Sequence, residues 1–125
     1  MVIDTGVFIE HIRAKNKFNT TLFYLPNNAS YFISSISIYE LFMGATSANK
    51  EDDFRYVIRN IKVLAVDEAV AIKAGEIYHI LKRKNKLIEF RDIFIAATCI
   101  VNNQPLATLN KKHFERIDEL KPVNF

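Results

Sequence analysis

The chain reads as an α/β protein, a three-layer sandwich around a short, mostly parallel central sheet. Three observations predict this. Short runs rich in β-branched and aromatic residues recur along the chain, segments with apolar residues at spacings of three and four lie between them, and helix-start residues follow the runs. Short apolar strands separated by helices pair in parallel, and the helices then cover both faces of the sheet.

Met1-Val-Ile-Asp4 opens the chain as a short strand, and Val7, Phe8 and Ile12 give the next segment one apolar side. Residues 31–36 (Tyr-Phe-Ile-Ser-Ser-Ile) predict a strand. From Ser37 the period changes: Ile38, Leu41, Phe42 and Ala45 predict a helix, whose start fits the capping box Ser37-x-x-Glu40. Lys62–Val66 predicts a second buried strand, with Asp67 as N-cap of a helix that turns Val70, Ala74, Ile77, Tyr78 and Leu81 inward. A further helix from about Glu89 to Asn102 buries Ile93, Ala96, Ala97, Ile100 and Val101. Pro105–Leu109 predicts a strand, and Pro122–Phe125 a last one.

The length of 125 residues predicts a single domain over 1–125, large enough to bury a core. Half the residues are apolar and a quarter charged, which excludes a disordered chain. Three glycines argue against a Gly-rich all-β design. Cys99 is the single cysteine, so no internal disulfide and no thiolate zinc cluster is available, and a reduced cytoplasmic protein is expected. On its helix's apolar side Cys99 reads as a buried small hydrophobe. Asp4, Glu10 and Arg13 interrupt the opening apolar segment, which argues against a signal sequence. The longest nearly apolar run, Ile93–Val101, is far short of the ~20 residues a membrane helix needs. The net charge of +3 permits a nucleic-acid partner without requiring one.

In open parallel sheets ligands bind beyond the carboxyl ends of the strands, where strand order reverses. Asp4 ends the first strand, Glu40 follows the second, and Asp92 lies in the first turn of the helix before the strand at 105–109. Three carboxylates within about 5 Å repel by roughly 3 kcal/mol per pair at an effective dielectric of 20. That is tolerable with a hard divalent cation, Mg²⁺ or Mn²⁺, or with shared protons. Each residue also has a helix-end role: Asp4 as an N-cap, Glu40 in the capping box, Asp92 as a complement to a helix dipole. The two kinds of role are compatible.

Four motifs stand in order: Val2-Ile-Asp4-Thr5, Ser35-x-x-x-x-Glu40-Leu41-x-x-Gly44, Asp92-Ile-Phe-Ile-Ala96-Ala97-Thr98 and Leu106-Ala-Thr108-Leu-Asn110. Together they resemble the PIN-domain family, and within it the VapC-type ribonuclease toxins of toxin–antitoxin pairs. The resemblance implies a Mg²⁺- or Mn²⁺-dependent endoribonuclease with Asp4, Glu40 and Asp92 as catalytic metal ligands. Thr5 would support the site through its hydroxyl, with Thr108 and Asn110 beside it. It also implies a homodimer and a small antitoxin whose tail blocks the acidic site. Two positions depart from the family's pattern: Gly6 stands where Asn or Ser is frequent, and Asn110, followed by His113, occupies the fourth acidic position. The number of metals is therefore open. For His113, a leaving-group role stands beside that of an ordinary surface histidine.

Two basic clusters flank the acids, Lys82, Arg83, Lys84, Lys86 and Arg91 before Asp92 and Lys111, Lys112 and Arg116 after Asn110. They suit the RNA backbone, with single-stranded loops or a tRNA as targets, or else form solvated helix ends. Phe18, Phe23, Tyr24, Tyr39 and Phe42 read mostly as core, with some available for a dimer face or an antitoxin groove. An aspartic protease (Asp4-Thr5-Gly6) is excluded by the helical content, and a phosphoacceptor receiver using Asp67 and Lys111 leaves Glu40 and Asp92 unexplained. The alternative from a different class is a non-catalytic PIN-like module that binds RNA or protein.

Overall fold

The computed structural model describes residues 1–121, so the strand expected at Pro122–Phe125 lies outside the described residues. The elements run β1 (Val2–Ile3), α1 (Thr5–Arg13), a 3₁₀ turn (Lys17–Asn19), α2 (Thr21–Tyr24), β2 (Phe32–Ser34), α3 (Ser35–Met43) and α4 (Ala48–Ile58). They continue with β3 (Lys62–Leu64), α5 (Glu68–Arg83), α6 (Phe90–Val101), β4 (Leu106–Ala107) and α7 (Lys111–Phe114). The strands form one sheet in the order β3-β2-β1-β4, and every pairing is parallel.

Alternation along each strand divides the core into two layers. Val2 and Leu106 face a cluster with Val70, Ala74, Ile77 and Leu81 of α5 and Ile93, Ala96 and Ala97 of α6. Ile3, Ile33 and Ala107 face the opposite cluster with Val7 and Phe8 of α1, Leu41 of α3 and Phe54 of α4. Helices thus cover both faces, as the sequence predicts. The chain moves from β1 outward to β2 and β3, then crosses to β4 on the other side of β1. The strand order reverses between β1 and β4, so the carboxyl ends of these two strands form the crevice where Asp4 and Thr108 emerge.

Several sequence expectations need correction. Helix α3 begins at Ser35, because Ser34 is its N-cap and accepts from the Ile36 amide at 3.2 Å. The Ser37-x-x-Glu40 capping box therefore does not form, and Glu40 lies in the second turn. The strand at 62–66 shortens to Lys62–Leu64 at the sheet edge, where Val63 is 46% exposed rather than buried. Tyr78 and Val101 face outward on α5 and α6, since a helical period of 3.6 rotates them off the inner stripe. Phe18, Phe23, Tyr24 and Tyr39 are exposed as well, while Phe42 is half-buried against the α1 side of the core. Asp67 does cap α5, accepting from the Val70 amide at 3.0 Å. Cys99 is fully buried, and burial pushes its thiol up to about 12. Among the described residues no helix is long and apolar enough to cross a membrane.

Candidate active site

Asp4 comes first, because the sheet itself delivers it. Its amide donates to the Ala107 carbonyl at 2.9 Å, extending the β1–β4 ladder one residue past the strand. Its side chain then caps α1, with Oδ1 accepting from the Thr5 amide at 2.8 Å. The other oxygen, Oδ2, accepts from the Thr108 hydroxyl at 2.7 Å, and Thr108 in turn accepts from the Asn110 amide at 2.9 Å. The helix-cap and site roles coincide in one carboxylate that is only 7% exposed. Burial pushes it up to about 6, and the Asp92 and Glu40 charges push the same way, against the Thr108 and Thr5 hydrogen bonds.

Glu40 reaches the crevice from the second turn of α3. Its Oε1 lies 2.9 Å from the Thr5 hydroxyl, which lies 2.9 Å from the buried Ser37 hydroxyl. Its Oε2 lies 4.0 Å from Arg91 Nε. Burial raises the Glu40 carboxyl, Thr5 and Arg91 oppose that rise, and Asp92 adds to it. Arg91 is held more closely by Glu89, with Nε donating to Oε1 at 2.5 Å.

Asp92 is the third residue of α6, where the positive end of the helix dipole favours a carboxylate. Its carboxyl is nevertheless raised, because burial outweighs the lowering effects of His113 and Arg91. Asp92 Oδ2 stands 3.3 Å from His113 Nδ1, and the same ring nitrogen stands 2.7 Å from Asn110 Nδ2. One ring nitrogen cannot both donate to a carboxylate and accept from an amide, so these two contacts exclude each other in any single tautomer. His113 is thus no ordinary surface histidine, though its side chain is 41% exposed.

The three predicted acids converge electrostatically: each of Asp92 and Glu40 raises Asp4, and Asp92 raises Glu40. Among the described residues, however, no group of three or more His, Cys, Asp or Glu is placed to hold a metal ion as it stands. The donor set still fits Mg²⁺ or Mn²⁺. All its atoms are oxygen, the mutual repulsion of the acids is the deficit a cation removes, and Mg²⁺ characteristically uses one or two carboxylates and keeps its waters.

Ser37 belongs to the site although sequence reasoning placed it in a capping box. Its position one helical turn before Glu40 was the available signal. The basic residues divide. Arg91 sits on the rim beside Glu40, and α7 carries Lys111 and Lys112 on the segment that brings His113 to Asp92. Arg116 donates to the carbonyls of Lys86 (3.4 Å) and Leu87 (3.0 Å), joining the two clusters, while Lys84 pairs with Asp118 at 3.3 Å and Lys82 lies 5.7 Å from the Tyr78 ring centre. Arg83 ends α5 beside Lys82.

Comparison with known proteins places the chain in a family and a fold. The PIN domain family model matches residues 1–120. A relative named Ribonuclease VapC1, from Methanocaldococcus jannaschii, is 31% identical over 119 residues, covering 95% of this chain and 82% of that protein. Among solved structures, VapBC2 from Rickettsia felis bound to a DNA fragment from their promoter superposes with a TM-score of 0.86 at 25% identity, covering 99% of this chain and 97% of that one. The DNA-bound VapBC from Salmonella typhimurium gives 0.83 at 31% identity, covering 98% and 95%.

Proposed function

The chain belongs to the PIN domain family, among the VapC ribonucleases, and from that premise we propose that it is an endoribonuclease, the toxin of a toxin–antitoxin pair. The reaction is hydrolysis of RNA phosphodiester bonds, and the site is Asp4, Glu40 and Asp92 with Mg²⁺ or Mn²⁺. The observation that carries the reading is the convergence of three partly or wholly buried carboxylates, all raised by burial, at the point where strand order reverses. Keeping such a group of like charges costs stability, and a protein that only bound RNA or a partner would gain nothing from it. The non-catalytic module is disfavoured for that reason.

When bound, a divalent cation supplies Lewis acidity toward the phosphate and the attacking water. The chain's own residues do the rest. Asp4 and Asp92 would hold the cation. Glu40, which accepts from Thr5, would hold it as well or take a proton from the attacking water. Thr108 keeps Asp4 oriented, and Asn110 secures Thr108 through its backbone amide. Arg91, Lys111, Lys112 and Arg116, with Lys82, Arg83 and Lys84 farther along, bind the RNA backbone through salt-sensitive phosphate contacts. Single-stranded loops or a tRNA suit such a rim better than duplex, whose base edges are hidden. The chain functions as one domain over 1–125, in the cytoplasm, as a homodimer paired with a small antitoxin protein. The exposed ring cluster of Phe18, Phe23 and Tyr24, with centroids 5.3 and 5.5 Å apart, provides apolar surface for such a partner.

The direct test compares wild type and Asp92→Asn, purified identically, on a panel of tRNAs and structured RNAs with Mg²⁺, Mn²⁺ or EDTA. Cleavage that needs the metal and disappears in the variant is expected. Equal cleavage by both proteins would contradict the assignment. An attacking water predicts 5′-phosphate ends, whereas attack by the 2′-hydroxyl would leave a cyclic phosphate.

A further inference from the structure

We propose that Arg91 is a catalytic residue whose guanidinium meets the RNA phosphate seated at the three acids, and that Glu89 is the positioning residue that aims it. The proposal rests on the ribonuclease reading above. It adds Glu89, which belongs to none of the four sequence motifs.

The helix starts differ between the two sides of the crevice. The N-cap side chains of α1 to α5 each accept from a backbone amide. Those of α6 and α7, Glu89 and Asn110, make no such bond. These two helices line the open side of the crevice, and there each N-cap side chain reaches a neighbour of a site acid. Asn110 Nδ2 lies 2.7 Å from His113, beside Asp92, and Glu89 Oε1 accepts from Arg91 Nε at 2.5 Å, beside Glu40. Residues two apart on a helix do not face each other. Glu89 and Arg91 meet because Glu89 stands outside α6 in extended backbone, with φ −61° and ψ 142°. The Phe90 ring centre lies 5.5 Å from the Arg91 guanidinium carbon, within cation–π reach, and Glu40 Oε2 lies 4.0 Å from Nε. Three neighbours thus hold the guanidinium at the rim of the site.

Both carboxylate contacts are made by Nε. Neither engages the terminal nitrogens, whose planar fork is the part that grips a phosphate with two parallel hydrogen bonds. The Glu89 and Arg91 side chains are 41% and 27% exposed, and an ion pair so placed adds little to stability. Its effect is therefore placement. A phosphodiester approaching three carboxylates is repelled, and a cation fixed beside Glu40 offsets that repulsion. The same cation stabilises the charge that gathers on the phosphate oxygens as the attacking oxygen bonds to phosphorus, without reorganising at that moment.

The test follows single-turnover cleavage by the intact protein with Mn²⁺, on the panel RNA that wild type cuts best, at several salt concentrations. Arg91→Ala should lower the rate at saturating RNA about 10²-fold, with a smaller change in KM. Arg91→Lys should recover less than tenfold of that loss, because an ammonium lacks the planar fork. The slope of log(kcat/KM) against log salt should become shallower by about 0.7 in Arg91→Ala, the share of one phosphate contact on a single strand. Glu89→Gln keeps the side chain's volume and should lower the rate about three- to tenfold. It should add nothing to Arg91→Ala, because Glu89 acts through Arg91. Both Arg91 variants should bind Mn²⁺ no more weakly than wild type in calorimetric titrations. Wild-type rates in both Arg91 variants, or in Glu89→Gln, would overturn the proposal. So would a double variant slower than Arg91→Ala by the full Glu89→Gln factor, or Mn²⁺ affinity that falls in step with cleavage. A wild type that neither binds Mn²⁺ nor cleaves RNA would instead overturn the ribonuclease reading, and this proposal with it.

Discussion

The two sides of the acidic crevice are built differently. On one side the hydroxyls of Thr5 and Thr108 tie Asp4, Ser37 and Glu40 together, Thr5 reaching Ser37 and Glu40 and Thr108 reaching Asp4. On the other, Asp92 leans on a half-exposed His113, which must choose between Asp92 and Asn110. Among the described residues no buried side-chain nitrogen or oxygen lacks a partner. The sheet side thus holds its charges through fixed partners, while the α6–α7 side offers His113 two alternative ones. Rigidity comes from connection to β1 and β4, whose ladder places Asp4 and Thr108 side by side.

The contrast should appear first in catalysis. Asp4→Asn should reduce metal-dependent cleavage about 10²–10³-fold in single-turnover assays, since it removes a charge aimed at the reacting centre. Residual activity within tenfold of wild type would show that the dry side is scaffold only. Next in size is the effect of pH on the metal-free protein. Asp4 is pushed up to about 6 in the fold against an ordinary value of 3.8, so between those values the folded state holds a proton that the unfolded state has released. Stability is then greatest below about 4 as far as this group is concerned, and falls as pH rises through the window to 6. The loss is up to about 3 kcal/mol, with Glu40 and Asp92 shifted in the same direction. Denaturant titrations at pH 4.5 and 7 measure it, and Asp4→Asn should flatten the difference.

Smaller effects separate the sides further. Thr108→Val keeps the shape and deletes the donor to Asp4, so Mn²⁺ affinity should fall about tenfold or somewhat more, as for other supporting partners of metal ligands. His113→Ala should leave unfolding free energy within about 0.5 kcal/mol of wild type, because its hydrogen bonds are alternatives at a half-exposed position. A loss there as large as that from Thr108→Val would mean that the open side is as rigid as the closed one.

Much of this was legible in the residues. Asp4 and Asp92 stand out because each lies where an apolar period begins or ends, and strand ends define the rim of a parallel sheet, whereas Glu40 lies inside the period of α3. Parallel pairing followed from the alternation of element types. What escaped did so for physical reasons. Ser37 fits a capping box by spacing, and only the tertiary contact with Thr5, 32 residues away, reveals its other partner. Helix α4 (Ala48–Ile58) is mostly polar and fully buries only Phe54, so no apolar stripe marks it. Strand β3 has the composition of a buried strand but lies at the edge, and composition does not encode strand order. His113 meets Asp92 only because α7 folds back across the crevice.

The acids are kept at a cost in stability that a divalent cation would remove. Thermal unfolding of wild type and Asp4→Asn at pH 7, each with EDTA and with excess Mn²⁺, tests it most directly. Without metal the variant should be more stable than wild type by about 1–2 kcal/mol, because a buried charge among like charges is gone. With Mn²⁺ the wild type should gain stability and the variant should gain little. A variant less stable than wild type in EDTA, or one that gains as much from Mn²⁺, would contradict the account.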